Sequence, residues 1–219
     1  MKHLVIIGGG GMGKDIYHSA KHSIGYGTEY DIKGFIDDNL NSLDGCEGYP
    51  PVLDTIKNYQ PSEDDVFTCS IGNVKTKRTL CEMIKDRGGK FITLLHETAQ
   101  LGENVKLGDG CIIDSHAHIG SDTIIGENCL VQTFAGIGHD CRVGDYCRID
   151  VRAFLVGGVR IEENVTIHTN AILNHHVVVE KDAVVAALSF VVRKVKAGTT
   201  VFGNPAKLLK LSLIHISEP

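Results

Sequence analysis

From residue 101 to residue 196 the chain repeats every six positions. Every sixth residue from Leu101, through Leu107, Ile113 and Ile119 to Val191, is Leu, Ile or Val, sixteen in succession. If one residue in three were aliphatic, such a run would have a chance on the order of 10⁻⁸. The position four further on, from Val105 through Cys111 and Ala117 to Val195, is always small or β-branched. A large residue alternating with a small one suits a narrow core. A period of six is neither the 2 of a strand nor the 3.6 of a helix. It predicts short strands joined by tight corners, three to a coil of eighteen residues, in a parallel β-helix of a little over five coils. Glycines directly after the aliphatic position (Gly102, Gly108, Gly120, Gly126, Gly138, Gly144) are expected to supply positive φ at the corners.

The first 97 residues carry a different pattern. LVIIG reads as a buried strand, followed by GGGGMG and a helical stretch, KDIYHSAKHSI. IKGFIDD is a second strand and VFTCSIGN a third. VKTKRTLCEMIKDRG is an amphipathic helix with a glycine stop, and KFITLLH a fourth strand leading into the repeat. Strands alternating with helices imply a small parallel sheet. The chain therefore divides into an α/β, Rossmann-like part over 1–97 and the β-helix over 98–210. The last nine residues, LSLIHISEP, fit no period and resemble a translated sequencing adapter, so 211–219 is expected to be a non-native tail.

Composition narrows the partners. The net charge of −5 argues against nucleic acid or an anionic membrane as the main partner. No apolar stretch reaches the roughly 18 residues that span a bilayer, and the N-terminus is too short and glycine-rich for a signal peptide. Seven cysteines without a CxxC suggest reduced thiols, and so a cytoplasmic location. Cys111, Cys129, Cys141 and Cys147 occupy the small core position and read as fillers.

Two regions carry candidate chemistry. The glycine turn, Asp37 with Asp38, and Gly72 all lie at the carboxyl ends of strands, where sheets of this kind bind ligands. Together they describe one mononucleotide-sized pocket, with backbone N–H groups and a helix N-terminus available to phosphate. A structural turn, a solvated acidic loop and a dinucleotide site remain as alternatives. Among eleven histidines, His139 stands out in GIGHDCRVGD, beside Asp140. Its imidazole could serve as a base near neutral pH, with the carboxylate orienting the ring. Eighteen residues on, Gly157 stacks one coil along, where its unshielded N–H could hold an oxyanion. His175 follows after another coil.

IIGGGGMG, GFIDD, SIGN, LLHETA, GHDCRVGD and GNPAK occur in the order found in bacterial sugar O- and N-acetyltransferases. The chain resembles this family, which includes sialic acid O-acetyltransferases and nucleotide-amino-sugar N-acetyltransferases, over residues 1 to about 210. The resemblance implies a left-handed β-helix and a homotrimer with acetyl-CoA lying between neighbouring β-helices. It implies His139 as general base with Asp140 beside it. It puts Gly10, Gly11, Met12, Asp37, Asp38 and Gly72 at the acceptor nucleotide, and Arg148, Thr169 and Ala187 along the CoA chain. No metal is expected. The implied reaction is N-acetylation of a nucleotide-linked amino sugar for surface glycan synthesis. The alternatives are O-acetylation of a sugar or of serine, a zinc enzyme of the γ-carbonic anhydrase type, and a non-catalytic nucleotide-sugar scaffold. Met12 stands where some relatives carry a polar residue, and Gln132 replaces a frequent Asn.

Overall fold

A computed structural model of the chain describes residues 1–211. The adapter-like tail therefore lies, from residue 212 onward, outside the described residues. Five parallel strands form the N-terminal sheet: β1 (Lys2–Ile7), β2 (Tyr30–Ile36), β3 (Val52–Asp54), β4 (Asp65–Cys69) and β5 (Lys90–Phe91), in the order β3-β2-β1-β4-β5. Helix α1 (Gly11–Lys21) follows β1 and α2 (Val74–Asp86) follows β4. The central β1 is flanked by β2 and β4, so the strand order reverses there, and the loops after β1 and β4 face each other across a switch point. Strand β3 has no counterpart in the hydrophobic pattern: it is three half-buried residues after Pro50 and Pro51. KFITLLH is two strands. β5 closes the α/β sheet, and β6 (Leu94–Leu95) pairs with Ile112–Ile113 as the first rung of the coil.

Sixteen two-residue strands follow, β7 (Gln100–Leu101) through β22 (Phe190–Val191). Each pairs in parallel with the strand eighteen residues away, as His118 does with Gly136. The coil is a left-handed parallel β-helix with three faces. Face I holds Leu94–Leu95, Ile112–Ile113, Leu130–Val131, Arg148–Ile149, Thr166–Ile167 and Val184–Val185, and is closed by β23 (Thr199–Gly203) and β24 (Ala206–Leu211). The chain then turns to face II (for example Gly136–Ile137) and face III (Arg142–Val143). The aliphatic and small positions together form the buried core. The four repeat cysteines lie in it as free thiols; those of Cys111, Cys129 and Cys147 donate to carbonyls of the next rung at 2.9–3.1 Å.

The glycines after the aliphatic position do not supply the positive φ expected of them. That conformation falls two residues later, at the fourth position of each hexapeptide, where thirteen non-glycine residues have φ between 53° and 61°. Seven of the thirteen are Asn or Asp, which tolerate the left-handed region best. The glycines answer a different need. A Cβ on Gly120 would stand 2.6 Å from the His139 nitrogen, and one on Gly138 2.7 Å from the Gly157 nitrogen, both backbone atoms of the next rung.

The α/β unit docks on face I. Leu94, Ile112 and Leu130, at eighteen-residue spacing, point outward and are buried against Leu4, Ile6 and Phe35. Burying each is worth about 1.5–3 kcal/mol. At the III–I corner, α2 adds ion pairs, Arg78 with Glu163 at 2.7 Å and Lys85 with Glu127 at 2.6 Å. At the amino end of the sheet Asp65 is buried. Burial would push its carboxyl up, but hydrogen bonds from Lys33 (2.7 Å), the Ser62 N–H and the Tyr59 hydroxyl (2.7 Å) outweigh it and hold it at about 2. A carboxyl depressed from an unfolded value near 3.9 stabilises the fold above that value, and the contribution is lost as pH falls toward 2. Asp65→Asn should therefore cost about 2 kcal/mol at pH 7. In urea melts the gap from wild type should close as pH approaches 2; a constant gap would refute it.

Candidate active site

His139 and Asp140 occupy the II–III corner. The His139 Nδ1 lies 2.7 Å from an Asp140 carboxylate oxygen, so Nδ1–H donates and Nε2 is left open with a free lone pair. Asp140 is itself a left-handed corner residue, with φ 58°. Both side chains are about two-thirds exposed. The imidazole reaches over the next rung, where a Cβ on Gly157 would stand 2.5 Å from Nε2. The absence of a side chain at Gly157 is thus what lets the ring lie there. The Gly157 N–H has no acceptor among the described residues, so it is a free donor beside the ring. His175 is exposed one rung beyond, its ring 6.1 Å from that of His176. Among the described residues no group of three or more His, Cys, Asp or Glu is arranged to hold a metal ion.

The glycine turn and its neighbours form a second cluster at the carboxyl ends of β1, β2 and β4. Asp37 accepts the Gly9 N–H at 2.6 Å and the Asn39 N–H at 2.8 Å, and Asp38 accepts the Ile56 N–H at 3.2 Å. Each carboxylate is therefore already engaged by backbone N–H groups of the surrounding loops. A Cβ on Gly13 would meet the Gly8 carbonyl oxygen at 2.2 Å, so glycine lets α1 pack close to β1. Gly10 and Gly11 border open space. The two helices differ at their starts. Asn73 caps α2 through its side chain, accepting from Lys75 and Thr76, whereas α1 has no side-chain cap. The first-turn N–H groups of α1, at Gly11 and Met12, are left facing that space.

Gly72 links this cluster to the coil. A Cβ there would collide with Arg148 Nη1 at 2.7 Å and approach Met12 Cε at 3.3 Å. Arg148, expected along the CoA chain, turns its guanidinium to the Gly72 carbonyl (3.1 Å) and to the buried Asp150. Thr169 and Ala187 lie in one column at the I–II corner, where the Leu188 N–H donates to the Thr169 carbonyl at 3.1 Å. Within one chain, that corner and the His139 corner are opposite margins of face II. The chain brings together His139, Asp140 and Gly157, and separately Gly10, Gly11, Met12, Gly72 and Arg148. It does not bring Thr169 and Ala187 to His139.

Between α1 and the I–II corner lies a cleft of about 610 Å³, lined by Met12, Lys14, His96, Asp114, Gln132 and Thr133 among others. Asp114 accepts from Ser19 (2.8 Å) and Thr133 (3.0 Å), stitching α1 to the coil. Burial pushes the His96 imidazole below its ordinary range, against the opposing pull of Asp114, so it lines the cleft as a neutral ring. Asp114 and His96 were not among the expected site residues. A signal existed: Asp114, Gln132, Asp150 and His168 stand at eighteen-residue spacing, a polar column at the position where the other two corners carry glycine up to Gly144.

Two family models match the chain, the PglD N-terminal domain over residues 3–84 and the GMPPB C-terminal domain over residues 93–185. The chain is similar to UDP-N-acetylbacillosamine N-acetyltransferase of Bacillus subtilis (strain 168), 28% identical over 117 residues, which cover 52% of this chain. That alignment spans about half (51%) of the relative's length. Among solved structures, the acetyltransferase domain of PglB from Neisseria gonorrhoeae FA1090 matches with a TM-score of 0.85 at 30% identity, covering 95% of this chain and 100% of that one. The same domain has been solved in complex with acetyl coenzyme A. PerB from Caulobacter crescentus, solved with CoA and GDP-perosamine, matches with a TM-score of 0.85 at 24% identity, over 96% of this chain and 98% of that one; at that identity it speaks to the fold.

Proposed function

Because the chain belongs to the hexapeptide-repeat sugar acetyltransferases, we propose that it transfers an acetyl group from acetyl-CoA to the amine of a nucleotide-linked amino sugar. The observation that carries this reading is the His139–Asp140 pair aimed at the bare Gly157 rung. In the proposed reaction the sugar amine attacks the thioester carbonyl carbon and His139 Nε2 takes its proton. The Gly157 N–H holds the oxyanion. The carbon–sulfur bond then breaks, leaving CoA thiolate and an N-acetylated sugar. Asp140 keeps the ring oriented and steadies the imidazolium. The nucleotide diphosphate is assigned to the uncapped start of α1, at Gly10, Gly11 and Met12, with Gly72 opposite. The sugar then extends into the cleft beside Gln132 and Thr133. The relatives' activities and ligands agree with this assignment: an N-acetyltransferase in the Bacillus subtilis relative, acetyl coenzyme A in the solved domain.

The same reading calls for a homotrimer. The outer side of face II carries Phe154 and Ile172, each more than 40% exposed, and the I–II corner carries Phe134 at 52% and Leu188 at 71%. Three copies packed through face II about a threefold axis would cover these side chains. They would also carry the Thr169–Ala187 corner of one copy to the His139 corner of the next, so that acetyl-CoA lies between them. The free thiols suit work in the reducing cytoplasm.

The test is a CoA-release assay with acetyl-CoA against nucleotide-linked amino sugars, free amino sugars, sialic acid and serine, alongside a solution mass. Release only with a nucleotide-linked amine by a trimer is the expected result; turnover of serine or of a hydroxyl alone would overturn it. Gly11→Glu places a carboxylate at the assigned phosphate site and should raise the acceptor KM about tenfold, leaving the acetyl-CoA KM unchanged.

A further inference from the structure

Asp150 is the most enclosed carboxylate on the coil surface, its side chain only 4% exposed, yet it receives three donors. Arg148 donates to both of its oxygens through Nε and Nη2, and His168 stands with Nδ1 2.8 Å from the second. A carboxylate facing a guanidinium is ionised and accepts, so His168 carries its proton on Nδ1 and presents Nε2 outward. The His168 ring is 40% exposed. It adjoins Thr169 at the I–II corner, on the polar column that begins at the cleft with Asp114 and Gln132. The other arm points elsewhere: Arg148 Nη1 donates to the Gly72 carbonyl, in the loop between β4 and α2. Gly72 has no Cβ to hold the guanidinium off. One buried carboxylate thus sets a side chain on each side of the site.

We propose that Asp150 is a positioning residue with two arms, aiming Arg148 at the nucleotide loop and His168 at the acyl donor, whose chain its Nε2 contacts beside Thr169. The proposal rests on the reading of the acceptor and donor tracks given above. Hydrogen bonds to charged groups, when lost, cost about tenfold or more in affinity. His168→Ala should raise the acetyl-CoA KM about tenfold and leave the acceptor KM and kcat near wild type. Arg148→Lys cannot reproduce the planar fork and should raise the acceptor KM by a similar factor, sparing the acetyl-CoA KM. Asp150→Asn should raise both. A merely structural carboxylate would instead lower the melting temperature and the active fraction with both KM values unchanged, and that result overturns the proposal. So does a change of the same KM by His168→Ala and Arg148→Lys. Should Asp150→Asn fail to fold, those two variants, one partly exposed and one charge-conserving, carry the test. Titration calorimetry with CoA alone and with UDP or GDP alone reads the two arms without turnover. If wild type releases no CoA with any nucleotide amino sugar, the acceptor assignment fails; weakened CoA binding by His168→Ala would still support the donor arm, and unaltered CoA binding would overturn it.

Discussion

His139→Ala should lower kcat by roughly 10²–10⁴-fold, the range a positioned general base contributes, while CoA still binds. The expectation follows from exposure and register. His139 is two-thirds exposed at a corner, outside the aliphatic core, so its ring contributes little to the fold. Its removal leaves Asp140 solvated and does not strand a buried charge. The Gly157 N–H donor belongs to the next rung and is untouched. The variant should therefore melt with wild type and keep its CoA affinity by calorimetry. A variant that turns over at the wild-type rate would end the role of His139 as base. One that loses CoA affinity in proportion to kcat would make the ring a donor-binding group.

Gly157→Ala should be nearly as damaging, with kcat down about 100-fold, although the substitution adds one methyl group. Gly157 is not in the left-handed region, so its backbone accepts alanine. The added Cβ would stand 2.5 Å from His139 Nε2 and 2.7 Å from Cε1. These atoms are the free end of a side chain, so the ring can swing aside and the coil survives. What is lost is the aim of Nε2, and a displacement of about 1 Å in a catalytic group is enough for a loss of this size. The melting temperature should stay within about 2 °C. A Gly157→Ala variant with normal kcat would show that the ring does not work from the position it holds over this rung.

The coil was legible because a core this narrow admits only one large and one small side chain per hexapeptide, and any departure would break a rung. The eighteen-residue register then followed by counting, and with it the stacking of Gly157 beneath His139. The corners depart from expectation for a local reason. The fourth position, rich in Asn and Asp, carries the signal for positive φ, whereas Gly120 and Gly138 serve the close approach of the next rung. β3 left no pattern because three half-buried residues cannot show a period. The docking of the α/β unit was written at Leu94, Ile112 and Leu130 but is visible only once the outward side of face I is separated from the core. Arg148 could not be placed from spacing. A long side chain chooses among nonlocal partners, and its choice depends on Gly72, 76 residues away in sequence.

The in-register coil also makes distance within the site a discrete quantity. Groups on one corner can be moved apart only in whole rungs of about 4.8 Å, by inserting or deleting eighteen residues at a time. Six residues added between His139 and Gly157 would carry Gly157 to a different face altogether. Variation in this architecture is therefore free to exchange side chains at fixed stations and nearly forbidden to adjust the stations themselves. On the proposed reading, a new acceptor calls for changes in the α/β unit and the cleft, while His139 and the Gly157 rung beneath it form one indivisible step of the ladder.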